Sequence, residues 1–396
     1  NHAMIEKRNP LIGDDFSTYS KNIVTGSGKK AVFTGGISYA YAKEYLQDYP
    51  EVKLCKISTP YPFPEKFVLS CLEGVDEVIC LEELSPFIEA EVTKLIGKHR
   101  LNIKVYGKES GYVKTSGENS ADYVAKVLSD FLKIPSQEAG IYLGDMPDLP
   151  VRPPVLCAGC PHRASFYAVK KAMEGKNAYF CGDIGCYTLG NAMPLDMVDT
   201  CLCMGAGITM AQGFHWVDKE GTCFAFVGDS TFFASGMTGI VNAVYNEADM
   251  ILCVLDNSTT AMTGHQPHPG TGKNMMGDIV DKISIEHILE GMGVKKIVTV
   301  NPLDLNKSVE VIKDCASLPG VKAIIFKSPC IALFKPEKKL CISDKCIQCK
   351  KCIREIGCPA ISTVKGKVTI NEDLCTGCGL CSQVCPVNAI GGDLDE

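Results

Sequence analysis

Two oxygen-bearing side chains near the middle of the chain, Asp229 and Asn257, each follow a short apolar run that has the pattern of a buried strand. The runs span residues 222–227 and 250–255, and residues 232–247 between them have helical spacing without proline. This order predicts a parallel βαβ unit whose strand ends meet at one sheet edge, where open α/β sheets bind ligands. Carboxylate and carbonyl oxygens suit Mg²⁺, which proteins usually hold with few ligands of their own together with substrate phosphates.

This unit resembles the thiamine diphosphate-binding motif, in which Gly-Asp followed by Gly or Ser precedes an Asn one βαβ unit later. The resemblance implies that Asp229, Asn257 and the backbone carbonyl of Thr259 hold Mg²⁺ against the diphosphate. The expected cofactor-binding residues, on this unit and on two earlier glycine-rich turns, are Gly185, Gly205, Gly228, Asp229, Ser230, Asn257 and Thr259. The alternative is that Asp229 only caps the helix that follows it.

The C-terminal segment, residues 336–396, holds two cysteine runs of the form C-x2-C-x2-C, each followed by a later Cys-Pro. Thiolates are soft ligands, and this close spacing allows one loop to hold three corners of an iron–sulfur cube. The pattern resembles that of two-cluster bacterial ferredoxins, in which the fourth Cys of each run ligates the other cluster. The two predicted 4Fe–4S ligand sets are Cys346, Cys349, Cys352 and Cys385, and Cys375, Cys378, Cys381 and Cys358.

The first of these runs departs from the pattern. Five residues separate Cys352 from Cys358, whereas three separate Cys381 from Cys385. The longer loop leaves a three-iron cluster open as an alternative for the first run. Zinc is a further alternative, although zinc sites usually lack the third in-register Cys and the trailing Pro.

A further set of cysteines is dispersed through the central part of the chain. Cys157 and Cys160 form a C-x2-C pair. Cys186 lies on a glycine-rich turn, and Cys330 follows a proline at a predicted strand end. With the strings CAGCPHRASF, CGDIGCYTLG and GDSTFFASGM and the C-terminal runs, they resemble the 2-oxoacid:ferredoxin oxidoreductases along the whole chain. The resemblance implies that these four cysteines ligate a third 4Fe–4S cluster beside thiamine diphosphate; ordinary buried cysteines are the alternative.

The family resemblance also implies an activity. Its nearest branch decarboxylates indolepyruvate and similar aryl 2-oxoacids oxidatively to acyl-CoA, passing electrons through the clusters to ferredoxin. Pyruvate or branched 2-oxoacids are alternative substrates, because the sequence does not locate the substrate pocket. A non-catalytic electron-transfer module on an α/β scaffold is an alternative from another class of function, against which Asp229 and Asn257 argue.

Two histidines are candidate catalytic residues. His162 follows the Cys157–Cys160 pair, and His265 lies on a loop after Asn257, residues 263–277, that is rich in Gly, His and Pro. Such a loop is expected to lie over the site. The alternative for both histidines is a solvated loop position without a chemical role.

The elements that must position these residues form a repeating pattern. Residues 30–107 alternate predicted strands and helices, which indicates a parallel sheet with helices on both faces. No element is predicted at the polar start of the chain. The predicted organisation is an N-terminal extension (1–29), a transketolase C-terminal-like α/β domain (30–110), a connector (111–154), a thiamine diphosphate-binding domain (155–335) and a small α+β two-cluster ferredoxin-like domain (336–396).

Composition limits the classes of partner. The net charge of −6 without a basic block argues against nucleic acid and anionic membranes. No apolar run reaches membrane-spanning length, and no signal peptide is expected. The 22 cysteines at ligand spacings favour a reducing cytoplasm over a disulfide-bonded secreted protein.

The family resemblance further implies that a Glu in a separate pyrimidine-binding domain activates the cofactor. No such domain is recognisable in this sequence, which begins about where one would end. We therefore expect that domain to be supplied by a missing N-terminal part or by a different chain. A small second subunit is also expected.

Overall fold

Two five-stranded sheets organise the part of the chain that the structure describes. The computed structural model describes residues 1–135, 149–335 and 339–392, so residues 136–148 of the predicted connector lie outside the described residues. The chain divides into two compact units, Asn1–Leu149 and Pro150–Glu396, with one of these sheets in each. No helix among the described residues combines the length and hydrophobicity needed to cross a bilayer.

The first unit is a sheet with helices on both faces, as the sequence predicts. Its strands are β1 Ile23–Thr25, β2 Lys30–Thr34, β3 Val52–Lys56, β4 Glu77–Leu81 and β5 Lys104–Tyr106, in the order β1-β3-β2-β4-β5. Strands β2 to β5 pair in parallel, and β1 pairs with β3 in the antiparallel sense. Its helices are α1 His2–Ser17, α2 Gly36–Tyr45, α3 Glu65–Leu72, α4 Phe87–Lys98 and α5 Ala121–Leu132.

Two features of the first unit differ from the sequence prediction. Helix α1 was not predicted, since it buries only Gly13 and contains Pro10, so it lacks the apolar periodicity by which helices are recognised. Helix α5, which the prediction placed in a connector, packs on the first sheet, where Leu128 and Phe131 share a buried cluster with Ile79. This helix of the predicted connector therefore contributes to the core of the first unit.

The second unit contains an entirely parallel sheet, which confirms the predicted α/β class. Its strands are β6 Ala178–Cys181, β7 Thr222–Gly228, β8 Met250–Asp256, β9 Lys296–Val300 and β10 Val321–Lys327, in the order β6-β7-β8-β10-β9. The helices are α6 Pro161–Ala172, α7 Ala206–Val217, α8 Asp229–Thr231, α9 Met237–Tyr245, α10 Ile285–Gly291 and α11 Leu305–Ala316. A π-helical turn, Phe232–Gly236, joins α8 to α9.

The C-terminal segment is a small α+β arrangement within the second unit. Its elements are β11 Cys341–Ile342, α12 Lys351–Arg354, β12 Ile361–Val364, β13 Lys367–Ile370, α13 Leu380–Val384 and β14 Ile390–Gly391. Strand β11 pairs with β14 and β12 with β13, both antiparallel. Ile356 and Leu380 belong to the same buried cluster as Phe166 of α6 and Ile312 of α11. The segment is thus packed onto the larger sheet domain.

The edge formed by the carboxyl ends of the second sheet's strands positions the predicted site. Strands β7 and β8 are parallel neighbours, as predicted, and they end at Gly228 and Asp256. Strand β10, which pairs with β8 on its other side, leads to Cys330. Asp229, Asn257 and Cys330 therefore emerge from three adjacent strands at one edge.

Candidate active site

Asp229 is a buried carboxylate that joins the ends of two strands. Its Oδ1 accepts a hydrogen bond of 2.8 Å from the N–H of Ser230. Its Oδ2 accepts hydrogen bonds from the N–H of Asn257 at 3.1 Å and of Ser258 at 2.8 Å. Two of the three donors belong to the neighbouring strand end, so the carboxylate does more than cap the helix that follows it. These contacts hold the carboxylate in one orientation.

The side chain of Asn257 is oriented by His162. Its Oδ1 accepts a 3.2 Å hydrogen bond from the N–H of Thr259, and its Nδ2 lies 3.2 Å from His162 Nε2. Burial lowers the pKa of His162 to about 4, so the imidazole is neutral near pH 7 and its Nε2 can accept the amide N–H. The structure thus brings Asn257, His162 and Thr259 together, all of them buried.

The strand ends carry a second buried carboxylate, Asp256. Burial raises the pKa of Asp256, and the neighbouring Asp229 raises it further. Among the described residues, the lysine that pairs with Asp256 is Lys327, whose Nζ lies 3.2 Å away and whose side chain is more than half exposed. Two buried carboxylates beside one solvated cation leave this edge negative, and a divalent cation with hard oxygen ligands would relieve the repulsion. The residues present therefore fit Mg²⁺.

A histidine that the sequence did not single out for chemistry contacts Asp229. His268 is buried, and its Nε2 lies 3.1 Å from Asp229 Oδ2 without the alignment of a hydrogen bond. Its Nδ1 accepts a hydrogen bond from the N–H of Gly270 at 3.2 Å, which fixes the orientation of the ring. By contrast His265, the predicted catalytic residue on this loop, is exposed and takes no part in these contacts. Sequence reasoning could not rank the two, because both lie on the same loop.

Tyr187 explains why two of the predicted cofactor-binding positions are glycines. A Cβ atom at Gly185 or at Gly228 would collide with the Tyr187 ring. The Tyr187 hydroxyl donates to the carbonyl oxygen of Ile184 at 3.0 Å and lies 3.2 Å from Thr231 Oγ1. The ring is thereby held between the turns that follow β6 and β7. Contact of these glycines with a cofactor stays a prediction.

Asp183 is a further site residue that the sequence analysis missed. It is buried at the end of β6, where its Oδ1 accepts from the N–H of Ile184 at 2.7 Å and its Oδ2 from that of Gly205 at 2.8 Å. Gly205 has φ of +90°, a conformation that favours glycine, and its Cβ would lie 2.8 Å from Ser235 Oγ. The signal that could have identified Asp183 is the Gly-Asp pair at a strand end, repeated at Gly228-Asp229.

The dispersed cysteines form one group of neighbours. Burial raises the pKa of Cys186, and the nearby thiols of Cys330 and Cys157 raise it further. Burial raises the pKa of Cys160 to about 12, and Cys157 acts in the same direction. The thiols of Cys157, Cys186 and Cys330 therefore lie near one another, and Cys160 lies near Cys157; their sharing of a cluster stays a prediction.

The cysteines of the C-terminal segment fall into the two predicted sets. Cys352 is buried beside the thiols of Cys349, Cys346 and Cys385, and these four line one small pocket. Burial raises the pKa of Cys381 to about 12, and the thiols that raise it most belong to Cys378, Cys358 and Cys375. Among the described residues, no three His, Cys, Asp or Glu side chains converge closely enough to hold a single metal ion. The donor sets fit cubes, in which each iron takes its own thiolate.

Two family models match parts of the second unit. The C-terminal thiamine pyrophosphate-binding domain of thiamine pyrophosphate enzymes matches residues 183–326, a range that contains Asp229, Asn257 and Thr259; thiamine pyrophosphate is another name for thiamine diphosphate. The 4Fe–4S binding domain matches residues 368–391, a range that contains the second cysteine run of the C-terminal segment. The chain therefore carries a thiamine pyrophosphate-binding domain and an iron–sulfur binding motif.

Similar whole proteins are known from archaea. The indolepyruvate oxidoreductase subunit IorA of Archaeoglobus fulgidus is 38% identical over 379 residues, which cover 92% of this chain and 60% of that protein. The IorA subunit of Methanothermobacter thermautotrophicus is 39% identical over 401 residues, which cover 98% of this chain and 64% of that protein. The chain spans about six-tenths of the length of these curated relatives.

A solved 2-oxoglutarate:ferredoxin oxidoreductase from Magnetococcus marinus is 17% identical, with a TM-score of 0.39 over 48% of this chain and 70% of that one. This likeness is too distant for a comparison of sites. The relation to the archaeal subunits is much closer, since it extends over more than nine-tenths of the sequence. By its sequence, the chain is similar over more than nine-tenths of its length to indolepyruvate oxidoreductase subunits IorA.

Proposed function

We propose that this chain binds the diphosphate end of thiamine diphosphate and conducts electrons away from it, as part of a 2-oxoacid:ferredoxin oxidoreductase. The full reaction is the oxidative decarboxylation of an aryl 2-oxoacid of the indolepyruvate type. The substrate loses CO₂, the acyl group passes to CoA, and ferredoxin accepts the electrons. The observation that carries the proposal is that a sheet edge with buried side-chain oxygens adjoins the dispersed cysteines, since the N–H of Cys330 donates to the carbonyl oxygen of Asn257 at 2.9 Å.

In this proposal Mg²⁺ is held by the Asp229 carboxylate, the Asn257 amide oxygen and the Thr259 backbone carbonyl. The bound cofactor supplies carbanion stabilisation at the substrate carbonyl carbon. Neutral His162 holds the amide of Asn257 in place through the contact between Nε2 and Nδ2. His268 lies beside the same carboxylate, with its Nε2 3.1 Å from Asp229 Oδ2. Gly185, Gly205, Gly228 and Ser230 supply backbone around the diphosphate.

The thiols supply the electron path. Cys157, Cys160, Cys186 and Cys330 hold the cluster nearest the cofactor, and the two C-terminal sets hold two further 4Fe–4S clusters. Direct catalytic roles for His162 and His265 stay predictions, because His162 already contacts Asn257 and His265 is exposed.

The proposed partners follow from the family. CoA and ferredoxin are co-substrates, and a small second subunit and a pyrimidine-binding domain or chain complete the enzyme. Support for the aryl substrate comes from the relatives, whose names identify them as indolepyruvate oxidoreductase subunits. With the partners supplied, a panel of 2-oxoacids with a dye acceptor should show indolepyruvate turning over faster than pyruvate. The reverse order would overturn the aryl assignment.

The cation site is tested on the chain itself. Mn²⁺ binding in the presence of pyrophosphate can be monitored by EPR. It tests the proposed site for the cofactor's diphosphate without requiring the pyrimidine-binding domain. We expect Asp229→Asn to weaken this binding by at least about a hundredfold, because losing a hydrogen-bond partner of a metal ligand already costs about 10–100-fold. Asp278→Asn, which removes the same charge from an exposed loop position, should bind like the wild type.

The same preparation tests the electron path. An anaerobic iron and sulfide count should give about twelve irons per chain, at four per cluster. If the chain holds iron but Asp229→Asn does not weaken the binding of Mn²⁺ and pyrophosphate, the chain would instead be an electron-transfer module.

A further inference from the structure

Arg163 is a buried cation for which the proposed function has no role. It lies on α6 and is 4% exposed. Its Nη1 donates to the carbonyl oxygens of Ile356 at 2.8 Å and Gly357 at 2.9 Å, and its Nη2 donates to that of Leu156. Among the residues that the structure describes, no carboxylate forms an ion pair with it. A buried charge without a counter-charge is costly, so a compensating negative group is expected nearby.

The groups around this guanidinium are thiols from two different predicted clusters. One pair belongs to the dispersed set and the other to the second set of the C-terminal segment. The four are Cys157 and Cys160, and Cys358 and Cys378. With iron bound, both sets carry thiolate and sulfide charge, so Arg163 lies between two negatively charged groups.

The loops that carry these thiols are in direct contact. Gly159, between Cys157 and Cys160, has φ of +72°, and a Cβ atom there would collide with the side chain of Thr376. Thr376 follows Cys375 in the second run of the C-terminal segment. The dispersed set is therefore adjacent to this second set, and Arg163 occupies the region between them.

The hydrogen bonds of Arg163 also link these two sets. The carbonyl oxygens of Leu156 and Gly357, to which it donates, belong to the residues directly before Cys157 of the dispersed set and Cys358 of the second set. Arg163 therefore joins the chain segments that carry the two sets.

We propose that the positive charge of Arg163 stabilises the reduced forms of two clusters, the dispersed cluster and the adjacent C-terminal cluster. This inference rests on the proposed function. Adding an electron makes a cluster more negative, and a fixed positive charge in a buried site favours that state strongly because little water screens it. With both clusters bound, one electron would pass from the dispersed cluster to the adjacent one, and no bond or proton would change. The electrons come from the substrate and go to ferredoxin.

An exposed arginine of the same segment provides a matched control. Arg354 donates from Nη2 to the carbonyl oxygen of Cys349 at 2.8 Å, next to the remaining C-terminal set, but its side chain is exposed. Solvent and salt screen an exposed charge, so its removal should change cluster potentials little. Burial of the charge, rather than mere proximity to cysteines, is what distinguishes Arg163.

The test is an anaerobic redox titration of the whole chain, followed by EPR, for wild type, Arg163→Gln, Arg163→Lys and Arg354→Gln. Arg163→Gln should lower the midpoint potentials of two clusters. Each potential should fall by at least about 59 mV, which corresponds to a tenfold change in the equilibrium constant of a one-electron reduction. The third cluster should shift less. Arg163→Lys keeps the charge but not the fork of donors, and should stay near wild type. Arg354→Gln should leave all potentials in place.

Unchanged potentials in a fully loaded Arg163→Gln chain would overturn the inference. If Arg163→Gln loses iron, Arg163→Lys decides: wild-type potentials in the lysine variant support an effect of charge, and shifted potentials show that only the carbonyl hydrogen bonds matter. Failure of the proposed function looks different. A wild-type chain with about eight irons lacks the dispersed cluster, which refutes both the three-cluster proposal and the shared role of Arg163 before any variant is made.

Discussion

The backbone N–H of Cys330 donates a 2.9 Å hydrogen bond to the backbone carbonyl oxygen of Asn257, so a proposed cluster ligand and a proposed cation ligand are one hydrogen bond apart. The N–H of Ser328 donates in the same way to the carbonyl oxygen of Asp256 at 3.0 Å. The turn after β10 is therefore attached to the end of β8 through the main chain. The Cys330 side chain can be removed without breaking this attachment.

Replacing Cys330 with alanine should therefore separate the two proposed sites. We expect the iron content to fall from about twelve to about eight per chain, since one cluster loses a ligand, while Mn²⁺ and pyrophosphate still bind. Cys341→Ala is the control, because Cys341 is an exposed thiol outside the three sets and should leave iron unchanged. Full iron content in the Cys330 variant would contradict its proposed role as a ligand.

A methyl group at Gly228 should destabilise the second unit. Its Cβ would overlap the Tyr187 ring, and overpacking of this kind costs about 1–3 kcal/mol. In a Tyr187→Leu background, Gly228→Ala should cost less than it does in the wild type. Denaturant unfolding of the single and double variants would measure the difference. Gly213→Ala is the control, because nothing lies near its added Cβ on α7 and helix propensity favours alanine there by about 0.5–1 kcal/mol. Equal effects at the two glycines would refute the packing argument.

The docking of the C-terminal segment depends in part on Gln383. Its Oε1 accepts from the N–H of Leu305 at 3.0 Å, and its Nε2 donates to the carbonyl oxygen of Leu303 at 2.7 Å. Gln383→Ala should cost about 0.5–1.5 kcal/mol for each bond and speed proteolytic release of the segment. The exposed position Ser362 offers a control, Ser362→Ala, in the same segment. Identical cleavage rates for both variants would show that these hydrogen bonds do not hold the segment.

His215 should make the second unit sensitive to mild acid. Burial and the neighbouring Lys219 lower its pKa, so the unfolded chain binds more protons than the folded one below the ordinary histidine value of about 6.5. Its contribution to stability is present above that value and is lost as the pH falls towards the lowered pKa. Urea unfolding at about pH 7.5 and about pH 5.5 should show a larger loss of stability for wild type than for His215→Gln. His287→Gln, at an exposed position, should behave like wild type.

Much of the site could be predicted from local patterns. Asp229 and Asn257 each end an apolar run on either side of a helix, and the parallel pairing of β7 with β8 follows from that order. Three ligands of each C-terminal set follow from spacing, because cysteines close in sequence can reach one cluster whatever the rest of the chain does. The fourth ligands, Cys385 and Cys358, required the resemblance to two-cluster ferredoxins. The dispersed cysteines required the family resemblance, since Cys157 and Cys330 are far apart in the sequence.

Only the tertiary structure decided the contacts that depend on burial and on side-chain direction. The sequence alone could not show that His268 rather than His265 lies against Asp229, because both follow the same strand on one loop. Nor could it show that Arg163 donates a hydrogen bond to the carbonyl oxygen of Ile356, because the two residues are 193 positions apart in the sequence. Residue types and their spacing determined which chemistry the chain can carry. Packing determined which side chains are removed from water and face one another, because burial is a property of the whole fold and not of any short stretch.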